Sequence, residues 1–254
     1  MDEQERPKTN DDQAKGMSRR QFLIKSGYTV GGAVLGGVLG YLLPRRQEEA
    51  APPAAPAAEG NDYGQALMFF TQEQFSIAQA ATERIFPTDE NGPGAKELGV
   101  AYFLDHQLAS EWGFNARDYM QGPFFVGEKV QGYQGRLKRR DIFQIGLREM
   151  QNYSQSQYGK AFVNLTEEEQ DAVLTAFQND EVPVTTISAS GFFSMLRSST
   201  LEGVYSDPLY GGNKNMAGWA MRNYPGSQMS YTQIMDKEFT KVPPRSLKDH
   251  VAHS

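Results

Sequence analysis

The feature that most constrains this fold is a pair of helix-start signals, each followed by apolar residues at helical spacing. Thr71 and Gln74 form one capping box, in which each side chain accepts a hydrogen bond from the other residue's backbone N–H, and Thr166 and Glu169 form a second. Apolar residues recur behind both boxes at intervals of three and four, the period of one helix face. The pattern predicts helices beginning at these two sites, and Pro87 ends the first of them.

Three more segments show the same periodicity. Helices are predicted over 95–110, about 135–156 and about 188–203. The best strand candidate is 181–187, and Pro183 weakens it because proline cannot donate to a sheet. We therefore predict an all-α fold, an irregular helical domain with long structured loops, preceded by an N-terminal signal or anchor helix.

The N-terminal segment SRRQFLIKSGYTVGGAVLGGVLGYLLP, residues 18–44, combines two arginines with a glycine-rich apolar run. Residues 27–43 lack charge but number only 17, fewer than the roughly 20 that a membrane-spanning helix needs. The pattern resembles a twin-arginine (Tat) export signal, a route that moves folded proteins. The alternative is an ordinary N-terminal anchor with basic residues on its cytoplasmic side. The expected export residues are Ser18, Arg19, Arg20, Phe22 and Leu23.

The composition divides the rest of the chain. Residues 45–65 are rich in Ala and Pro and read as a semi-extended linker. They leave open whether segment 1–44 is cleaved or retained as an anchor. The helical domain is expected over 66–230, and a polar tail over 231–254.

The composition also excludes several functions. The chain has no cysteine, which rules out covalent c-type haem, thiolate-bound iron–sulfur clusters and a cysteine nucleophile. Its net charge of −6 argues against a nucleic-acid partner. His106 could serve as a general base, and His250 with His253 could bind a metal, but no accompanying pattern supports either role. The sequence thus predicts no catalytic, cofactor-binding or metal site.

The most distinctive stretch of the body is SDPLYGGNKNMAGWAMRNYPG, residues 206–226, which we name the 206–226 loop. Paired glycines allow positive φ angles, and its aromatic residues suit either self-packing or contact with another protein. Both alternatives remain open at this point. The residues expected to bind a partner are Tyr210, Gly211, Gly212, Asn213 and Trp219.

This loop and the segment FFTQEQFSIAQAATERIFPTDENGPGAKELGVAYFLDHQLA, residues 69–109, together resemble the small subunit (subunit 3, or gamma chain) of gluconate 2-dehydrogenase. The resemblance implies a non-catalytic accessory subunit that escorts and stabilises an FAD-dependent, GMC-type sugar or alcohol oxidoreductase subunit during Tat export. It further implies a possible cytochrome c subunit, contact with the Tat translocase and the membrane, and FAD only in the partner. The expected location is the outer face of the cytoplasmic membrane, the periplasm or the cell envelope.

Two other functions are compatible with the sequence. One is an independent exported enzyme, such as a hydrolase that uses a carboxylate pair assisted by His106. The other is a structural envelope protein tethered by its N-terminal segment.

Overall fold

The computed structural model describes residues 65–125, 127–131 and 133–251, and throughout that part the fold is helical with no strand. The predicted all-α class is confirmed. The predicted signal or anchor helix and the export residues 18–23 lie outside the described residues. Among those that are described, no helix is both long and apolar enough to cross a bilayer.

Within the residues that the structure describes, five helices build the body and two short ones follow them. They are α1 (Gln72–Ile85), α2 (Val100–Ala109), α3 (Arg139–Tyr158), α4 (Glu167–Gln178), α5 (Ala189–Tyr205), α6 (Ala217–Met221) and α7 (Lys248–Val251). Four single 3-10 turns lie between them, Lys129–Gln131, Phe162–Asn164, Pro208–Tyr210 and Lys214–Met216. Helix α1 packs against α2, α3, α4 and α5, so the core is organised around it.

Both predicted capping boxes are present. The Thr71 hydroxyl accepts a hydrogen bond from Gln74 N, and the Gln74 side chain accepts one from Thr71 N. Thr166 and Glu169 make the same reciprocal pair at the start of α4. These bonds satisfy backbone donors that have no partner inside the helix.

The prediction for α2 was wrong at its start. The helix begins at Val100 rather than near residue 95, because Gly99 takes a left-handed conformation with φ of 75°. Ala95 and Leu98 are nevertheless buried, in a turn that leads into the helix.

Helix α3 begins at Arg139, later than predicted, after Lys138 takes an extended conformation. Asp141 accepts a hydrogen bond from Lys138 N at this helix start. The strand candidate 181–187 forms no strand, in keeping with its proline.

Aromatic rings fill the centre of the core. The Phe192 ring packs edge-on against Phe143 and Phe177, with centroids 5.7 and 5.8 Å apart. A side chain at Gly146 would overlap the Phe192 ring, so this glycine lets α3 and α5 approach closely. Each fully buried phenylalanine contributes on the order of 2–3 kcal/mol of hydrophobic stabilisation.

Candidate partner-binding surface

The 206–226 loop is fixed at its start by Asp207. One oxygen of this carboxylate accepts a hydrogen bond from Leu209 N (2.9 Å) and one from the Ser246 hydroxyl (2.6 Å). The other oxygen accepts a bond from Leu247 N at 2.8 Å. Asp207 therefore joins the loop to a segment almost forty residues further along the chain.

Asn213 holds the middle of the loop from inside. Its side chain is fully buried, donating to Ser206 O (2.8 Å) and accepting from Gly218 N (2.7 Å). Its backbone is left-handed, with φ of 47°, a conformation that asparagine tolerates better than most residues. These bonds bring the two halves of the loop together.

Trp219 anchors the far side of the loop. Its indole nitrogen donates to Tyr205 O at 2.8 Å, and its ring packs edge-on against Tyr224 with centroids 5.4 Å apart. The Trp219 side chain is buried. Its contacts are therefore with this chain's own residues.

The two adjacent glycines serve different purposes. Gly211 has φ of 94°, as its position in a tight turn requires. Gly212 does not have a positive φ, so the positive φ expected of the paired glycines is wrong for Gly212. A side chain at Gly212 would instead overlap Gly203 O on α5. Gly212 is needed because the loop backbone lies directly against that helix.

Of the five residues singled out in this loop, Tyr210 has an exposed side chain, as does its neighbour Leu209. Asn213 and Trp219 have buried side chains. The structure thus brings four of the five together as the internal support of the loop, and it leaves Tyr210 facing solvent.

His106, considered above as a general base, and its neighbour Asp105 both make structural hydrogen bonds. The buried Asp105 carboxylate accepts hydrogen bonds from three successive backbone donors, Met68 N, Phe69 N and Phe70 N, at 2.6, 3.1 and 2.6 Å. The His106 Nε2 lies 3.0 Å from Ala66 O. Both side chains fasten the chain segment that precedes α1 to helix α2.

Of the C-terminal histidine pair, His250 makes a structural contact and His253 lies outside the described residues. The His250 Nε2 lies 2.9 Å from Ser227 O. Within the part of the chain that the structure describes, no group of three or more metal-ligating side chains comes together.

The sequence did not reveal a buried ion pair between α1 and α4. The Arg84 guanidinium donates two parallel hydrogen bonds to Asp171, at 2.8 and 2.9 Å, and a third to Glu167. Hydrogen bonding to Asp171 raises the pKa of Arg84 further above its ordinary range, against the opposing effect of burial. No local pattern could have shown this pair, because its members lie 87 residues apart.

Two exposed apolar surfaces also went unnoticed in the sequence. The first is the α2–α3 loop, residues 110–138. Its large apolar side chains that face solvent are Phe114, Tyr119, Phe124, Phe125, Val130 and Tyr133. Six exposed large apolar side chains within one loop favour a protein–protein contact over singly scattered surface residues.

The second surface is the 227–245 loop, whose ends are close together. Ser227 N donates to Arg245 O at 2.8 Å, and Arg245 N donates to Pro225 O at 3.2 Å. Its exposed large apolar side chains are Met229, Tyr231, Met235 and Phe239. The sequence predicts a polar tail from residue 231. In the structure, residues 245–250 of this tail contact the rest of the domain, through the Ser246 hydroxyl and the His250 ring.

One comparison with known proteins matched most of the helical body of the chain. The family model described as gluconate 2-dehydrogenase subunit 3 matches residues 72–226. This range begins with α1 and ends with the 206–226 loop, so it includes the α2–α3 loop and excludes the 227–245 loop. No curated protein and no solved structure matches the chain.

Proposed function

Because the chain belongs to the gluconate 2-dehydrogenase subunit 3 family, we propose that it is the non-catalytic small subunit of an exported FAD-dependent sugar or alcohol dehydrogenase. The family match over residues 72–226 carries this proposal. In it, FAD and the oxidation of substrate belong to a separate GMC-type flavoprotein subunit, and a cytochrome c subunit takes up the electrons where one is present.

The structural roles of the buried Asp105 and the half-buried His106 support a non-catalytic subunit. Asp105 accepts three backbone N–H bonds, and His106 is engaged by the Ala66 carbonyl. A general base must reach the proton that it removes. These two side chains are instead used to hold the start of the domain in place.

Export is the second part of the proposal. The Tat-like residues Arg19 and Arg20 precede a linker, which separates them from the folded body that the structure describes from residue 65. A signal of this kind can carry a bound partner, since the Tat route accepts folded proteins. The chain would thus escort a flavoprotein that has no signal of its own and keep it stable at the outer face of the membrane or in the periplasm.

Co-purification tests the subunit assignment. The full-length chain, carrying an affinity tag, is produced together with the flavoprotein subunit from the same organism. We expect both chains to elute as one species whose absorbance spectrum shows bound flavin. The proposal is contradicted if the flavoprotein folds with FAD, is active, and never accompanies the tagged chain.

A further inference from the structure

We propose that the α2–α3 loop is the surface on which this subunit binds its flavoprotein partner, through an acidic, apolar-lined face of that partner. The proposal rests on the assignment as a dehydrogenase small subunit. The observations that carry it are the exposed side chains of the loop, its rigid base, its charge, and its place within the family-matched range.

The base of the loop is held firmly. Arg139 N donates to the Asn115 side chain at 2.8 Å, and the Arg139 guanidinium pairs with Asp118 at 2.7 Å. The same guanidinium lies over the Trp112 ring, 5.0 Å from its centroid. The Arg140 guanidinium lies 4.2 Å from the centroid of Phe114. The base of the loop, held in this way, loses little conformational entropy when the loop binds.

The outer part of the loop exposes apolar side chains that the protein's own core does not cover. Val130, Tyr119 and Phe125 are 95%, 82% and 76% exposed. Fully burying a large aromatic side chain removes about 150–250 Å² from water. Covering the six exposed apolar side chains of this loop would remove on the order of 700 Å², close to the roughly 800 Å² that each partner contributes to a standard interface.

The charge of the loop is opposite to that of the chain. Residues 110–138 carry four basic and three acidic side chains, a net charge of +1, and Arg139 and Arg140 follow at the start of α3, in a chain whose net charge is −6. Arg136 and Lys138 stand near the end of the loop with exposed side chains. A basic surface on an acidic protein is complementary to an acidic partner face, which speeds encounter and selects the orientation.

A protein partner fits these features better than a lipid surface or a second copy. Arginine, phenylalanine and tyrosine, abundant here, are enriched in protein interfaces. The described residues between 110 and 138 contain one helical turn, Lys129–Gln131, whereas interfacial lipid binding commonly uses a long amphipathic helix. A second copy would present another basic surface to this one. The loop also lies within the residues shared with the subunit family, unlike the 227–245 loop.

The test measures binding of the flavoprotein subunit by the full-length chain and by two variants of the α2–α3 loop. The first carries Tyr119→Ser with Phe125→Ser, and the second carries Arg136→Glu with Lys138→Glu. Val163→Ser is the matched control, since Val163 is also exposed but follows the opposite end of α3, a helix about 30 Å long. Thermal unfolding of each variant checks that the fold is retained.

We expect the serine variant to weaken binding at least tenfold, and the glutamate variant to slow association and remove most of its salt dependence. The control should bind as the natural chain does. Equal binding by all variants overturns the docking surface while leaving the subunit assignment intact. No binding by the natural chain overturns the subunit assignment itself.

Two further measurements distinguish the flavoprotein from the two other occupants of this surface, a lipid membrane and a second copy of the chain. The first is co-sedimentation of the chain with phosphatidylglycerol vesicles. If co-sedimentation depends on Phe125 while the serine variant binds the flavoprotein unchanged, the proposal is overturned in favour of a lipid surface. The second is self-association of the chain. If the serine variant abolishes self-association and still binds the flavoprotein unchanged, the proposal is overturned in favour of a second copy.

Discussion

Arg84 is the residue on which the contact between α1 and α4 most depends. Its guanidinium is buried, and two carboxylates of α4 accept its hydrogen bonds. Removing Asp171 would leave the buried Arg84 charge with only the largely exposed Glu167 as its partner, which costs far more than the pair contributes by itself.

We therefore expect Asp171→Ala to lower the free energy of unfolding by about 3–5 kcal/mol, measured by urea denaturation. Lys160→Ala is the matched control, because Lys160 pairs with Glu169 at the surface. Its cost should stay below about 1 kcal/mol. Equal effects of the two changes would show that the Arg84 contact contributes no more than a surface pair.

A second prediction for a single residue concerns Gly212. Gly212→Val places side-chain atoms against Gly203 O, so the loop must move away from α5. We expect a loss of about 1–3 kcal/mol, seen as a lower unfolding temperature. Gly159→Asn is the control, because Gly159 has open space around it and a left-handed backbone that asparagine adopts. A Gly212→Val variant as stable as the natural chain would contradict the close contact.

Sequence reasoning at the residue scale succeeded where the signal is local. The positive φ at Gly211 followed from the residue type in one short stretch. Trp219, which the sequence places at a partner contact, instead has a buried side chain bonded to Tyr205 O. The role of Gly212 could not be predicted, because the atom that excludes a side chain there belongs to Gly203 on another element. The bonds of Asp105 to residues 68–70 were hidden for the same reason.

At the scale of elements, the helix starts show what a sequence specifies well. Helices α1 and α4 begin where their capping boxes predict, because side chain and backbone lie within the same turn. The starts of α2 and α3 were placed too early, since turns at 95–99 and 135–138 carry apolar residues that continue the helical spacing. The exposed α2–α3 loop was missed because spacing alone does not report exposure.

The start of α4 provides a pH prediction. Hydrogen bonds from its own backbone N–H and from the Thr166 hydroxyl hold the pKa of the Glu168 carboxyl below its usual value of 4.5. A carboxyl whose pKa is lowered on folding adds stability above its unfolded pKa, and that stability is lost as the pH falls through the folded value. This helix start should therefore weaken in acid.

We expect the natural chain to be more stable than the Glu168→Gln variant at about pH 6, and the difference to shrink as the pH falls below 4.5 and Glu168 becomes protonated. Urea denaturation of both chains over this pH range measures it. A difference that is the same at both ends of the range would show that ionisation of Glu168 does not contribute.

At the scale of the whole molecule, one helical body carries two rigidly based loops with exposed apolar side chains. The α2–α3 loop leaves the end of α2, and the 227–245 loop is closed by hydrogen bonds near Asp207. A subunit that works inside a complex needs such uncovered surface, since interfaces bury large aromatic and aliphatic side chains. Neither surface follows from the helical pattern that specifies the fold.

We propose that one export signal serves two chains, and the location of the flavoprotein partner tests this most directly. The flavoprotein is located by cell fractionation in cells that produce the natural chain or its Arg19→Lys, Arg20→Lys variant. Arg45→Lys with Arg46→Lys is the matched control, because this second arginine pair lies after the apolar segment.

We predict that the flavoprotein is exported with the natural chain and the control. With the Arg19, Arg20 variant it should stay in the cytoplasm, still bound to this chain. Export of the flavoprotein undiminished by the Arg19, Arg20 changes would contradict the account.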